Sequence, residues 1–352
     1  MKKTIIISTV VLAAMCGCTK NDVLTPEGPQ SEISFNAPVV SGLTKAVVTG
    51  EIEDYPEEES FGVFSIYHTA DFSGWDNNTT YINGAEFSYD DDANGWKAGY
   101  MFPKVGKLSF AAYSPYDANG TISYGANGLS IDGFIVPSTP ATQYDLMYSN
   151  RLYNKTAANW NEVDENLEYD GGYNGMDITF YHALSSIRFT AQLDGTYSST
   201  FTLTSITING VEYTGDFYEN IQNPTAASYS SEPYWTISYK DENDLASYTA
   251  FSGEYVMPQT QTQVNENDII LMPQEFSNGS SVINGNNAEI VINYSLDGTP
   301  QSPTTVKLSD LTTEWEIGKR YTYNITLGYD LILVGATVEK WEENDDINIP
   351  IS

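Results

Sequence analysis

The chain alternates apolar and polar residues with a period of two along much of its length, and this pattern restricts the fold more than any other feature. Alternate side chains of a strand point to the same face, so such segments predict half-buried β-strands. No convincing apolar stripe follows the 3.6-residue period of a helix, and residues 309–316 form a helical turn at most. The strand segments are residues 33–37, 61–67, 108–113, 178–181, 187–190, 201–208, 288–294 and 321–327.

Residue pairs that favour tight turns separate many of these segments. Asn-Gly and Asp-Gly accept the positive φ angles that hairpin turns require, and many short strands with such turns are typical of β-sandwiches. The length of 352 residues and a break between strand patterns near residue 192 predict two sandwich domains, residues 31–192 and 193–352. The predicted turns are Asn83-Gly84, Asn94-Gly95, Asn119-Gly120, Asn127-Gly128, Asn209-Gly210 and Asp297-Gly298.

The charge and the reactive residues exclude several classes of function. There are 47 Asp+Glu against 15 Lys+Arg, which gives a net charge of −32. A surface of this sign repels nucleic acid, so we expect no nucleic-acid partner. The two cysteines are Cys16 and Cys18, and the two histidines are His68 and His182. These are too few for a thiolate site or a three-histidine zinc site in the body, and we predict no metal and no cofactor.

The first residues have the pattern of an export signal. A basic start is followed by an apolar run over residues 5–14, which is too short to span a bilayer. Gly17 precedes Cys18, and this pair resembles a bacterial lipobox in which Cys18 would be acylated. An ordinary signal peptide cut nearby is the alternative. The sequence therefore predicts a signal peptide at residues 1–17, a lipid-anchored tether at 18–30 and an exported protein.

Seven aromatic or polar segments follow one another along the chain. They are an aromatic signature at 96–115, a Q-x-D-L segment at 143–148, an F-x-H strand at 180–189, two M-P-Q segments at 255–259 and 271–274, a W-x-x-G-x-x-Y-x-Y block at 315–323 and a V-x-x-W end at 338–341. Each segment alone is ordinary aromatic strand chemistry, but their order over residues 96–341 behind a lipobox is not. Taken as a set, these segments resemble the fimbrillin family of the Bacteroidota, the FimA/Mfa-like type V pilus subunits.

This resemblance implies two transthyretin-like β-sandwich domains and a maturation step at the cell surface. In such pilins a protease cuts after a basic residue behind the first strand, that strand leaves, and a donor strand from the next subunit replaces it. Thr44-Lys45-Ala46 resembles the cleavage position, so the expected cut lies between Lys45 and Ala46. The groove-facing residues of the leaving strand would be Ile33, Phe35 and Ala37.

The other end of the chain carries a candidate donor strand. Ile347, Ile349 and Ile351 are spaced by two and lie on one face of an extended segment. Full burial of each isoleucine contributes roughly 1.5–3 kcal/mol, and the missing N–H of Pro350 must face away from the ladder or end it. The alternative is an edge strand within the same molecule. The expected partners are other copies of the chain or related pilins, the protease and, before cleavage, a membrane.

The sequence thus predicts a subunit of an adhesive surface pilus, located at the outer membrane. Two other functions are alternatives to this prediction. A glycan-binding lipoprotein of a polysaccharide-uptake system would use an aromatic platform of Trp75, Tyr81, Trp96, Trp160 and Tyr173. An enzyme is disfavoured, because the carboxylates of residues 162–170 have no spacing that pairs them across a substrate. Asp90-Asp91-Asp92 favours a hairpin turn over a calcium site, because the EF-hand spacing is absent. Among the pilin roles, a cleavable strand and a donor end favour a stalk over a tip or an anchor.

Overall fold

The computed structural model describes residues 31–40, 55–159, 175–228, 230–237, 245–265, 267–276, 288–329 and 332–341. Within these residues the chain is built from β-strands and three short 3-10 helices, at Asn77–Thr79, Pro140–Thr142 and Leu308–Asp310. None of the described helices has the length and apolar character needed to cross a bilayer. The predicted all-β class is confirmed.

The strands are numbered in chain order. In the first half they are β1 Glu32–Phe35, β2 Val39–Val40, β3 Phe61–His68, β4 Thr80–Asp90, β5 Gly95–Met101, β6 Lys107–Ser114, β7 Thr121–Gly125, β8 Gly128–Ile135, β9 Met147–Ser149, β10 Leu152–Lys155, β11 Thr179–His182 and β12 Ser185–Leu193. In the second half they are β13 Phe201–Val211, β14 Thr214–Tyr218, β15 Tyr234–Ile237, β16 Ala246–Val256, β17 Thr262–Gln263, β18 Ile269–Leu271, β19 Gln274–Glu275, β20 Glu289–Leu296, β21 Thr299–Pro300, β22 Thr304–Lys307, β23 Glu314–Trp315, β24 Lys319–Leu327 and β25 Ile332–Lys340.

The largest sheet has the order β1-β5-β4-β3-β6-β9-β11-β2, with β10 also paired to β6. Both faces of its central strands are buried. On β3, Phe61 and Val63 face one core, whereas Phe64 and Ile66 face another. A strand covered on both sides can carry apolar residues on both faces, and this explains why residues 61–67 and 108–113 depart from strict alternation and have apolar residues at neighbouring positions.

Strand β12, at the end of the first half, and strands of the second half form two five-stranded sheets that share a core. One has the order β17-β12-β24-β25 with β18 on β12, and the other has the order β16-β13-β20-β21 with β22 on β20. Phe189 and Tyr323 from the first sheet and Ile206 from the second belong to one buried cluster. Alternate residues of two sheets that fill a common interior make a β-sandwich.

A four-stranded sheet runs across the predicted domain boundary. Its order is β15-β14-β8-β7, so β14 of the second half pairs with β8 of the first half. Buried residues from both sides of residue 192 also form one apolar cluster, which includes Phe134 and Phe217. The division into two domains at residue 192 remains a prediction. The parts of the chain before and after residue 192 share a sheet and an apolar core.

Four of the six predicted turns lie between strands, and two predictions are wrong. Asn94-Gly95, Asn119-Gly120, Asn127-Gly128 and Asp297-Gly298 lie at or next to strand ends. Gly84 and Gly210, in contrast, lie inside the eleven-residue strands β4 and β13, with φ angles of 62° and 73°. The pairing of both strands shifts register nearby, so these glycines mark β-bulges, which also use positive φ.

The carboxylate of Asp268 binds three basic and polar side chains of the sheet that contains β12 and β24. Asp268 accepts hydrogen bonds from the Arg188 and Arg320 Nε atoms, each at 2.8 Å, and from Ser186 Oγ at 2.7 Å. Arg320 is buried, so its charge depends on this carboxylate and on Glu339, whose Oε1 lies 3.9 Å away. The cluster therefore holds β12, β24 and the start of β18 in register.

We expect the substitution Asp268→Ala to lower the free energy of unfolding by about 3 kcal/mol, because it leaves a buried guanidinium without its main partner. Urea denaturation followed by tyrosine and tryptophan fluorescence would measure the change. Asp132→Ala, at an exposed position on β8, is the matched control and should change the stability little. Equal stabilities for the two variants would contradict the role of this carboxylate.

We also expect the protein to lose stability as the pH rises from about 10 to about 12. Burial raises the pKa of Tyr113 and of Tyr321 from 10.0 to about 12. The unfolded chain thus releases these protons at lower pH than the folded chain, and the free energy of unfolding falls through this window. Denaturant titrations at each pH would measure the slope. The substitution Tyr113→Phe should make the free energy of unfolding depend less steeply on pH, whereas Tyr329→Phe, at a half-exposed ring, should leave this dependence unchanged.

Candidate functional site

Residues 32–40, termed here the N-terminal segment, fill a gap between two strand edges. On one side β1 pairs antiparallel with β5, with Phe35 opposite Trp96. On the other side Met176 N–H donates to Ser34 O at 2.9 Å, and Asn36 N–H donates to Met176 O at 3.0 Å. Further along, β2 pairs parallel with β11. The gap between β5 and residues 176–180, called the groove below, is thereby closed by the segment.

The side chains of the segment that were predicted to face a groove are buried. Ile33 and Phe35 are 0% exposed and Ala37 is 4% exposed. All three belong to the same apolar cluster as the inner residues of β3, β4, β5 and β6. The structure therefore places Ile33, Phe35 and Ala37 in a common core, and their departure from it remains a prediction.

Phe35 occupies an aromatic pocket at the floor of the groove. Its ring meets Phe61, Phe87 and Phe110 edge to face, with centroid distances of 5.6, 5.3 and 5.8 Å. These three rings come from β3, β4 and β6, so one side chain of the segment contacts three strands of the large sheet. Edge-to-face pairs of this kind add about 0.5–1.5 kcal/mol each beyond the burial of area.

Gly175 lets the chain pass directly against the N-terminal segment. A Cβ atom at this position would lie 2.1 Å from Phe35 C and 2.4 Å from Asn36 N, closer than any backbone contact allows. Only glycine permits this approach without moving the segment. The alternating pattern gave no sign of this contact, because it joins residues about 140 positions apart. A glycine directly before the buried Met176 was the only local signal.

Tyr55 fixes the chain on the far side of the predicted cleavage position. Its ring stacks on Phe180 at 6.0 Å, and its hydroxyl bonds to Ser114 Oγ at 2.8 Å. Burial of the ring raises the pKa of its hydroxyl. The chain is thus held at Val40 by pairing with β11 and again at Tyr55. Lys45 and Ala46 fall between these points and lie outside the described residues, as do Cys18 and the isoleucines Ile347, Ile349 and Ile351.

Residues of four sequence motifs meet at a second buried location. His182 Nδ1 lies 2.6 Å from Asp145 Oδ2, and its ring stacks on Trp341 at 4.0 Å with an interplanar angle of 9°. Trp341 N–H in turn donates to Gly318 O at 2.9 Å. His182 is buried, and these contacts fit a structural role. They join β11 to the end of β25, from which the C-terminal tail departs.

The alternative chemistries find little support among the described residues. Trp75 and Trp96 are 8% and 0% exposed, so these two rings of the predicted glycan platform are core residues. Tyr81 is half-buried and its hydroxyl donates to Met101 O, whereas Trp160, Tyr173 and the carboxylates of 162–170 lie outside the described parts. Asp90 caps the turn between β4 and β5 through Ala93 N–H at 2.9 Å. The described residues contain no cluster of metal-ligating side chains.

Solved structures of fimbrial and proposed adhesion proteins match this chain. A fimbrial protein from Bacteroides vulgatus is 14% identical over 88% of this chain and 99% of its own, with a TM-score of 0.53, which supports the fold. A proposed cell adhesion protein from Bacteroides uniformis is 14% identical over 89% and 99%, with a TM-score of 0.49. The tip fimbrial protein Mfa3 from Porphyromonas gingivalis is 10% identical over 81% and 94%, with a TM-score of 0.39.

Comparison with family models identifies the chain more directly. No significant match is found among curated protein sequences. The model of the fimbrillin-like family, in contrast, matches residues 44–341, which is most of the chain. This range includes the motif residues Asp145, His182 and Trp341 that meet in the structure. The chain belongs to the fimbrillin-like family.

Proposed function

We propose that the protein is a non-enzymatic structural pilin that is exported as a lipoprotein, cleaved after Lys45 and polymerised by strand exchange into an adhesive surface pilus. Membership of the fimbrillin-like family supports a pilin or adhesin role, with assembly among subunits at the cell surface. The observation that carries the finer proposal is the position of the N-terminal segment, which closes a gap between two strand edges and precedes the predicted cut.

Removal of the N-terminal segment would leave two unsatisfied edges and an apolar slot. The backbone of β5 would lose its partner on one side, and Met176, Thr179 and Phe180 would lose theirs on the other. Loss of Ile33 and Phe35 would also uncover apolar area equivalent to roughly 3–6 kcal/mol. A strand from a neighbouring subunit satisfies both needs at once, which is the logic of β-augmentation.

Cleavage between Lys45 and Ala46 would convert the segment into a separate peptide. Its contacts on both sides are non-covalent, and the covalent link to the body runs through residues 41–54. Because Tyr55 is anchored independently by Phe180 and Ser114, the body would keep its contacts with the chain at Tyr55 after the cut. Before the cut, acylated Cys18 would tether the precursor to the membrane, and the cut would release the body from that anchor.

The C-terminal residues are the candidate donor. Ile347, Ile349 and Ile351 would place three apolar side chains on one face, worth on the order of 5–9 kcal/mol before the cost of ordering the tail. The tail follows Trp341, which is fixed to His182 and Gly318, so it starts from a defined point. A cleavable first strand and a donor tail together favour a stalk subunit.

We expect trypsin to cut the lipid-free precursor after Lys45 and to yield multimers that resist SDS. The Lys45→Gln variant should stay intact at this position and remain monomeric, because its first strand stays covalently attached. Mass spectrometry would locate the cut and unheated gels would show the multimers. Lys104→Gln, which removes an exposed lysine elsewhere, should behave like the wild type. Multimers from the Lys45→Gln precursor would contradict the proposal, and a cut without multimers would indicate a tip subunit.

We expect Phe35→Ala to lower the unfolding free energy of the precursor by about 3–5 kcal/mol and to speed release of the segment after cleavage, because it empties the aromatic pocket. Urea denaturation measures the first effect, and gel filtration of the cleaved protein at successive times measures the second. Val105→Ala, at a side chain that is 70% exposed, is the control. An unchanged release rate would show that this ring does not hold the segment.

A further inference from the structure

The groove has slots of different sizes along the N-terminal segment. The central slot holds the ring of Phe35 among three phenylalanines at 5.3–5.8 Å. Two residues before it the groove holds the branched side chain of Ile33, and two residues after it the single methyl group of Ala37, and both are buried. Because protein interiors are close-packed, each slot fits its present occupant and changes of size in either direction destabilise it. The groove therefore has three slots at a spacing of two residues: a slot for a branched aliphatic side chain, a slot for an aromatic ring and a slot for a single methyl group.

The chain's own tail does not match this pattern. Residues 342–352 contain no aromatic residue, and their apolar set is three isoleucines of equal size. If the three isoleucines fill all three slots, Ile349 lies in the middle one, whichever direction the tail runs. The middle slot is the aromatic one, so it would hold an isoleucine. That side chain would leave a cavity where the Phe35 ring lies, and another isoleucine would be too large for the Ala37 slot.

The backbone adds a further mismatch for a tail that runs in the same direction as the segment. With Ile349 in the aromatic slot, Pro350 would take the place of Asn36. The N–H of Asn36 donates to Met176 O at 3.0 Å, and proline has no N–H to give. Met176 O would then lose its partner at an edge that the groove otherwise satisfies.

We propose that the preferred partner of this groove is an extended segment of a different fimbrial subunit, one that carries a phenylalanine with a small residue two positions away. This inference rests on the proposed strand exchange, and it assigns the Phe35 pocket as the element that selects the donor. A second copy of the chain, which offers the isoleucine tail, still enters the emptied groove when it is the one donor present, as in the trypsin experiment, but it is the poorer donor. Subunits with this groove would thus alternate with, or follow, subunits whose donor strand is aromatic.

The test measures exchange of labelled peptides into the groove of the intact protein. A recognition sequence for a site-specific protease replaces residues 44–47 of the lipid-free precursor, so that cleavage does not depend on Lys45. After cleavage, the protein is incubated with four fluorescent peptides, and fluorescence anisotropy and gel filtration report incorporation. The peptides are residues 31–40, the wild-type tail 342–352, the tail with Ile349→Phe, and the tail with Asn348→Phe as a control of equal apolar gain on the opposite face.

We expect the Ile349→Phe tail to enter at least about tenfold better than the wild-type tail, and the Asn348→Phe tail to match the wild type. If peptide 31–40 enters well and the wild-type and Ile349→Phe tails enter equally, the Phe35 pocket does not select an aromatic donor. That result would leave the proposed strand exchange itself intact. An equal gain for Asn348→Phe would overturn it as well, because apolar character alone would suffice. Failure of peptide 31–40 to enter would instead overturn the proposed strand exchange itself.

Discussion

The backbone of the N-terminal segment satisfies the hydrogen-bonding groups of two strand edges, and the rest of the site depends on this arrangement. Antiparallel pairing with β5 and contacts with Met176 and β11 cover both edges of the groove within the described residues. A buried edge must be paired, because unsatisfied N–H and C=O groups are costly. The segment is therefore an essential part of the apolar cluster around Phe35, although its covalent connection to the body runs through residues 41–54 alone. The proposed exchange of this segment for a donor strand depends on that combination of dense non-covalent contacts and one covalent connection to the body.

The periodicity of the sequence predicted the strands well but not how they are arranged. Phe35 and Ile33 are core residues as their alternation indicated, since a strand pattern reports which side chains are buried. The crossing of residues 32–40 between β5 and β11 could not be predicted, because local periodicity does not indicate which distant strands pair. For the same reason the contact between Gly175 and Phe35 appears only in the structure. Gly84 and Gly210 show a second limit, since bulges and turns use the same positive φ.

The motifs that resemble the family have a physical explanation in the way the halves are held together. Asp145, His182 and Trp341 are distant in sequence, yet they form one stack and one hydrogen bond in the interior. Trp315 likewise donates its Nε1–H to the hydroxyl oxygen of Tyr323 at 2.9 Å inside a single block of the sequence. A buried polar atom must find its partner, so such residues depend on one another. That dependence explains why individually weak motifs are informative as a set.

The sheet that β8 and β14 build together has a mechanical consequence for a subunit that is part of a fibre. A pull that separated the first half of the chain from the second would have to break the β8–β14 ladder and open the apolar cluster around Phe134 and Phe217 at the same moment. Neither half could extend alone while the other bore the load. Such a subunit would behave as one elastic element that yields in a single cooperative event, and not as two domains on a hinge.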